Sequence, residues 1–125
     1  MPFMKLNVTK KLTYEQKKEI ADGLGQAMLL IPGKVAEGVI LYVEDGKTFF
    51  LGGHELEEYA YIETDICGKY EFQARYDFTV AAFKAVKKVL GFDNANMSMR
   101  LQEHMSWGNF GDFIETDELG RPTTK

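Results

Sequence analysis

Cysteine is almost missing from this chain. Cys67 is the only one, which excludes an intramolecular disulfide and a cysteine-built zinc site. The two histidines, His54 and His104, stand far apart with no acid or cysteine at metal-ligand spacing, so each reads as a loop or strand-end residue and no metal is expected. A basic excess is missing too. Lys and Arg total 15 against 19 Asp and Glu, a formal net of −4, and no basic stripe interleaves with aromatics, so no nucleic-acid partner is expected. No apolar run approaches the roughly 20 residues that span a bilayer. The opening Met1-Pro2-Phe3-Met4-Lys5 has no basic region followed by an apolar stretch, so it is no signal peptide. The expectation is a cytoplasmic protein with no membrane partner. A glycine-rich phosphate loop is also lacking: Lys10-Lys11-Leu12 forms the first crossover, and Gly52-Gly53 precedes no helix and reads as a turn.

What is there has the size and composition of one ordinary domain. The 125 residues are 45% hydrophobic and 27% charged, enough to bury a core without covalent help. Charge is unevenly spread. Residues 1–36 hold six Lys and three acids, whereas residues 37–125 hold nine basic and sixteen acidic side chains. A positive N-terminal third favours the approach of a small anion; a solvated helix face carrying lysines explains it equally well.

Periodicity gives the order of elements. Met4, Leu6 and Val8 alternate with Lys5, Asn7 and Thr9, as in a strand. Thr13-Tyr14-Glu15-Gln16 fits a capping box, and Ile20, Leu24, Ala27, Met28 and Ile31 follow at helical spacing until Pro32-Gly33. Gly23 and Gly25 inside this helix each cost about 1 kcal/mol against Ala. Gly38 to Glu44 is apolar in both phases and reads as a buried strand. Asp45-Gly46 is a turn dipeptide after which Lys47 to Leu51 returns as a short strand. Tyr59 to Ile66 alternates again. From Glu71 the period turns helical, with Phe72, Tyr76, Val80, Phe83, Val86 and Leu90 as the expected stripe and Gly91 as the stop. Met97, Met99 and Leu101 alternate in a last long strand. Residues 112–125 are expected to fray as a C-terminal tail after a domain over 1–111.

This order is a βαβ unit used twice. It predicts an α+β fold: a four-stranded mixed sheet with two helices on one face. The other face has no cover from the same chain, and strands 39–43 and 59–62 carry apolar or aromatic residues in both phases. Another copy of the chain is expected to cover it.

Few residues remain for chemistry. Cys67 lies between a strand and the second helix, where a helix N-terminus acidifies a thiol; with no histidine close in sequence it reads as a buried structural cysteine. Pro2 is different. A small second residue generally permits removal of the initiator Met, leaving a free, ring-held prolyl amine with an available lone pair. Apolar surroundings lower the pKa of such an amine from roughly 8 toward neutrality, where a general base works best.

The chain resembles the tautomerase superfamily, and within it the macrophage migration inhibitory factor branch. The resemblance spans residues 2 to about 110. It rests on Met1-Pro2 opening the first strand, Gly33-Lys34 after the first helix, Gly38 to Val43 as second strand, Phe49-Phe50-Leu51-Gly52-Gly53, Gly68-Lys69 before the second helix, and Trp107-Gly108-Asn109. It implies the doubled βαβ fold assembled as a trimer around a central axis. It also implies cofactor-free keto–enol tautomerisation of an α-keto or unsaturated carboxylic acid such as phenylpyruvate. By the same resemblance, Pro2 is base and then acid, Lys34 contacts the substrate carboxylate, and Cys67, or Ile66 one register away, supplies a backbone N–H. Where the family has a tyrosine and an asparagine on the last strand, this chain has Ser98 and Arg100. Arg100 there either grips a carboxylate from a neighbouring subunit or is a surface arginine. That departure brings in the branches that hydrate or decarboxylate their substrates with a protonated proline and arginines. The two-cysteine redox motif of the inhibitory factor is absent, and Tyr59-Ala60-Tyr61-Ile62 stands about there. Two further readings stay open: a non-catalytic trimeric binding protein on the same fold, and a ferredoxin-like βαββαβ regulatory domain.

Overall fold

The alternation of Met4, Leu6 and Val8 makes β1 (Phe3–Val8) a strand with one fully buried face. The structure, a computed structural model, describes residues 2–117 and 120–124. β1 is central. It pairs in parallel with β2 (Ile40–Glu44) and antiparallel with β5 (Ala60–Cys67), which in turn carries β6 (Met97–His104) in parallel. The sheet order is therefore β2-β1-β5-β6. Each parallel pair is joined through a helix, α1 (Tyr14–Met28) or α2 (Phe72–Leu90), because parallel neighbours need a long crossover. The α+β architecture of two βαβ units is the one the periodicity predicts.

Local chemistry sets the ends of α1. Gln16 N–H donates to Thr13 Oγ1 at 3.1 Å and Thr13 N–H to Gln16 Oε1 at 2.9 Å, a complete capping box. After Met28 the chain tightens through i to i+3 bonds, Leu30 N–H to Ala27 O and Ile31 N–H to Met28 O. Gly33, at φ +81°, then turns it out and presents Lys34. Gly23 has a packing reason: a Cβ there would sit 2.9 Å from the Ala85 Cβ of α2. A Cβ on Gly25 would sit 3.1 Å from Ala36 O. The helices approach closely because these side chains are missing.

α2 buries Val86 and Leu90 as expected, but its first half turns a different face inward. Its buried residues are Phe78, Ala82, Val86 and Leu90. Phe72 and Tyr76 are exposed and stack on each other outside, ring centroids 5.9 Å apart, while Val80 and Phe83 are half-buried. Both helical stripes of this segment are apolar, so periodicity does not choose between them. The choice falls to the side that presents small residues, Ala82 and Ala85, to the sheet and α1.

Two further differences concern the periphery. The strand after Asp45-Gly46 does not return onto β2. β3 (Phe49–Leu51) pairs with β4 (His54–Leu56) in a separate hairpin. Gly52 and Gly53, at φ +56° and +83°, form its two-residue turn, which is why glycine stands at both positions. Within the segment expected to fray, β8 (Asp112–Thr116) and β9 (Pro122–Thr124) are strands, and with β7 (Ser106–Asn109) they form a three-stranded antiparallel sheet. Its turn uses Phe110, at φ +53°, and Gly111.

The sheet face away from the helices is polar, not apolar as strands 39–43 and 59–62 led us to expect. Glu63 accepts from Asn7 Nδ2 at 2.9 Å and from Arg100 Nη2 at 2.7 Å. His104 Nε2 and Asp65 Oδ1 lie 2.7 Å apart, and Lys5 Nζ sits 5.7 Å from the centre of the Tyr42 ring. Phe3 and Ile40 are the exposed apolar residues at the rim. On the helix side, Thr64 is fully buried and its hydroxyl has no partner. Thr64→Val keeps the shape and removes that penalty, so it is expected to raise stability by about 1 kcal/mol. Urea unfolding checks this; a less stable variant would contradict it. Among the described residues no helix is long and apolar enough to cross a membrane.

Candidate active site

Three segments converge at one end of the sheet: the start of β1, the loop after α1, and the end of β5. Pro2 is buried just before β1, and its carbonyl accepts from Ile40 N–H at 3.0 Å. The last β1–β5 pair is Phe3 with Asp65, so buried Ile66 and Cys67 extend past it at the end that carries Pro2. Cys67 is the last residue of β5 rather than part of the turn before α2, whose first residue is Phe72. The helix N-terminus is thus several residues away from its thiol.

Lys34 reaches across to this end. Its Nζ donates to Cys67 O at 3.3 Å and lies 5.7 Å from the centre of the Tyr70 ring. Tyr70 O–H donates to the same carbonyl at 2.8 Å. Burial is the main reason that Lys34 falls below its ordinary pKa, and the neighbouring Cys67 opposes the shift. Burial first, with Cys67 and Glu103 close by, pushes the Tyr70 phenol up to about 12. Tyr70 is therefore a neutral donor across the physiological range. Around Lys34 lies an open cleft of about 500 Å³, lined by Pro32, Lys34, Lys69, Tyr70, Glu71 and Arg121. A second cleft, of about 400 Å³, opens on the polar sheet face beside Phe3, Ile40, Asp65, His104 and Trp107. There the His104 ring stands edge-on to Trp107 at 5.6 Å.

A partly desolvated lysine must charge at a cost, and that cost appears in stability. With its pKa lowered on folding, Lys34 binds a proton more weakly in the native chain than in the unfolded one. Its contribution is unfavourable below the lowered value and fades as pH rises through it toward 10.5. Lys34→Met is therefore expected to be at least as stable as wild type at neutral pH, since Cys67 O keeps its bond from Tyr70. The gap closes in alkali. Denaturant titrations at the two pH values check this. A variant markedly less stable at neutral pH would contradict it.

Ser98 and Arg100 do not join this group within the chain. Tyr59 O–H donates to Ser98 Oγ at 2.7 Å, and Arg100 is ion-paired with Glu63 on the open sheet face. Their β5 partners are Tyr61 and Glu63, whereas Cys67 pairs with His104. At about 3.3 Å per residue, Arg100 is some 13 Å along the strand from that end. Tyr70, Lys69, Arg121 and the Asp65–His104 pair escaped the sequence reading as site residues. Only Lys69 and Tyr70 had a local signal, two and three residues past Cys67. The others arrive by strand register and by the C-terminal hairpin. His54 is exposed on β4, and no group of three His, Cys, Asp or Glu among the described residues could hold a metal ion.

No protein-family model matches the sequence, and no curated protein matches it. Solved structures do match by shape. MIF2 from Leishmania major superposes with a TM-score of 0.81 at 18% identity, over 90% of this chain and 97% of that one. Pt0534, in a form inactivated by 2-oxo-3-pentynoate, gives 0.77 at 16%, over 87% and 93%. The R7 fused 4-OT, an asymmetric trimer, gives 0.76 at 15%, over 88% and 94%. The chain therefore shares the fold of these proteins, that of the macrophage migration inhibitory factor homologues.

Proposed function

We propose that this protein is a homotrimeric keto–enol tautomerase acting on a small α-keto or unsaturated carboxylic acid such as phenylpyruvate. The observation that carries the reading is that Pro2 and the Lys34–Cys67 contact lie at the same end of the sheet, within a fold that superposes on MIF2 and on Pt0534, which 2-oxo-3-pentynoate inactivates. After removal of Met1, which lies outside the described residues, the Pro2 amine takes the proton from the carbon next to the carbonyl. The same proton, or one from solvent, is returned to oxygen or carbon. Lys34 holds the carboxylate, and its charge, with the backbone N–H of Cys67 or Ile66, steadies the negative charge that develops on oxygen. No cofactor is needed, because a positioned base suffices for a carbon acid beside a carbonyl. Ser98 and Arg100 enter only if a neighbouring copy brings them in. The trimer of the R7 fused 4-OT supports that assembly. The arginine-dependent hydratase or decarboxylase reading is weaker through Arg100, which is already held by Glu63.

The test uses 2-oxo-3-pentynoate, an electrophilic 2-oxo acid. Conjugate addition forms a bond from the Pro2 nitrogen to the alkyne carbon, and the amine proton passes to the adjacent carbon. One adduct per chain on the peptide beginning at Pro2 is expected. Label found only at Cys67, or none, would overturn the assignment.

A further inference from the structure

We propose that Arg121, carried on the C-terminal hairpin, is the second carboxylate-binding residue of the Lys34 cleft, and that the hairpin forms a wall of that site. This rests on the reading of the cleft as the place where the substrate carboxylate binds. Among the described residues, three cations, Lys34, Lys69 and Arg121, line the cleft with one acid, Glu71. The hairpin that brings Arg121 there is fitted to the loop after β5. Lys69 N–H donates to Gly120 O at 2.6 Å. Gly120 sits at φ +78°, and a Cβ on it would lie 2.2 Å from the Lys69 Cβ. Gly68, at φ +110°, has room for no side chain either: its Cβ would meet Tyr70 Oη at 2.7 Å and Gly120 O at 3.0 Å. Two glycines thus let the C-terminal segment lie directly against the loop that ends in Tyr70. Gly120 is itself buried by that contact.

Arg121 is oriented as well as delivered. Its backbone N–H donates to Asp117 Oδ1 at 2.9 Å and its Nε to Asp117 Oδ2 at 2.7 Å. With Nε on Asp117, no described residue bonds the two terminal nitrogens of the guanidinium. That fork matches the two oxygens of a carboxylate, whereas Lys34 supplies a point charge. Arg100, the arginine singled out from the sequence, lacks this position because Glu63 holds it on the other face.

The experiment compares phenylpyruvate with its uncharged methyl ester, each titrated by NMR against the full-length protein, and turnover is recorded separately. Wild type is expected to bind the acid at least about tenfold more tightly than the ester. Arg121→Ala should lose about tenfold for the acid and nothing for the ester, with Arg121→Lys intermediate. Gly120→Ala, which pushes the hairpin off Lys69, should show the same selective loss. Equal losses for acid and ester in Arg121→Ala, or no loss, would overturn the inference, as would a wild type that binds neither. Selective binding without turnover would sustain it while sinking the tautomerase reading.

Discussion

Pro2→Ala is expected to slow phenylpyruvate tautomerisation by about 10²–10⁴-fold, the usual worth of a positioned general base. The loss should fall on kcat, with KM little changed, because a base acts on the reacting proton in the transition state rather than on the bound substrate. Alanine leaves a primary amine in place of the ring-held secondary one, so the residual rate should exceed the uncatalysed one. Stability should hardly move, since the carbonyl at position 2 still accepts from Ile40 N–H. Retention of Met1 is the sharper version of this change. It converts the Pro2 nitrogen into a tertiary amide with no basic lone pair, and it should abolish the activity. Ultraviolet absorbance of the enol follows both. Equal rates for wild type and Pro2→Ala would sink the assignment.

The second large effect is on the fold. Phe78 is fully buried and is among the largest such side chains. It anchors α2 in the same core as Met4, Leu6 and Ile62 of the sheet. Phe78→Ala removes its burial and leaves a cavity, a loss of about 3–5 kcal/mol. For a domain of this size that lowers the melting temperature by roughly 10–20 °C. Phe72→Ala, six positions earlier on the same helix, removes a ring that is 67% exposed. It should cost within about 0.5 kcal/mol. Guanidinium unfolding of the two variants separates them. Comparable losses would mean that α2 presents its other stripe to the sheet.

That pair also marks where the sequence stops being informative. Strand phases were readable because each strand has one apolar face: Met4, Leu6 and Val8 go inward just as they alternate. The capping box and the stop at Gly91 were readable because each is a local hydrogen-bond or dihedral requirement. α2 was not, because two stripes of equal hydrophobicity are separated only by how closely Ala85 and Gly23 allow the helices to approach. The open sheet face misled for a related reason. Tyr42 and Tyr61 count as apolar in a pattern, yet Tyr42 lies under a lysine and the face is built around Glu63 and Asp65. The C-terminal hairpin was invisible because its fit depends on Gly120 meeting Lys69, a contact made across the fold. Of the candidate site, Pro2 came from the residues, and Lys34 and Cys67 came from the resemblance. Tyr70 and Arg121 needed three dimensions.

The central claim is that a free, weakly basic proline amine faces the substrate. A nitrogen-15 NMR titration of protein labelled at proline tests it on that atom. The account predicts a secondary-amine resonance for Pro2 that titrates near neutrality, below the roughly 8 of an ordinary α-amino group. An amide resonance at position 2, or an amine that titrates at the ordinary value or above it, would contradict the account.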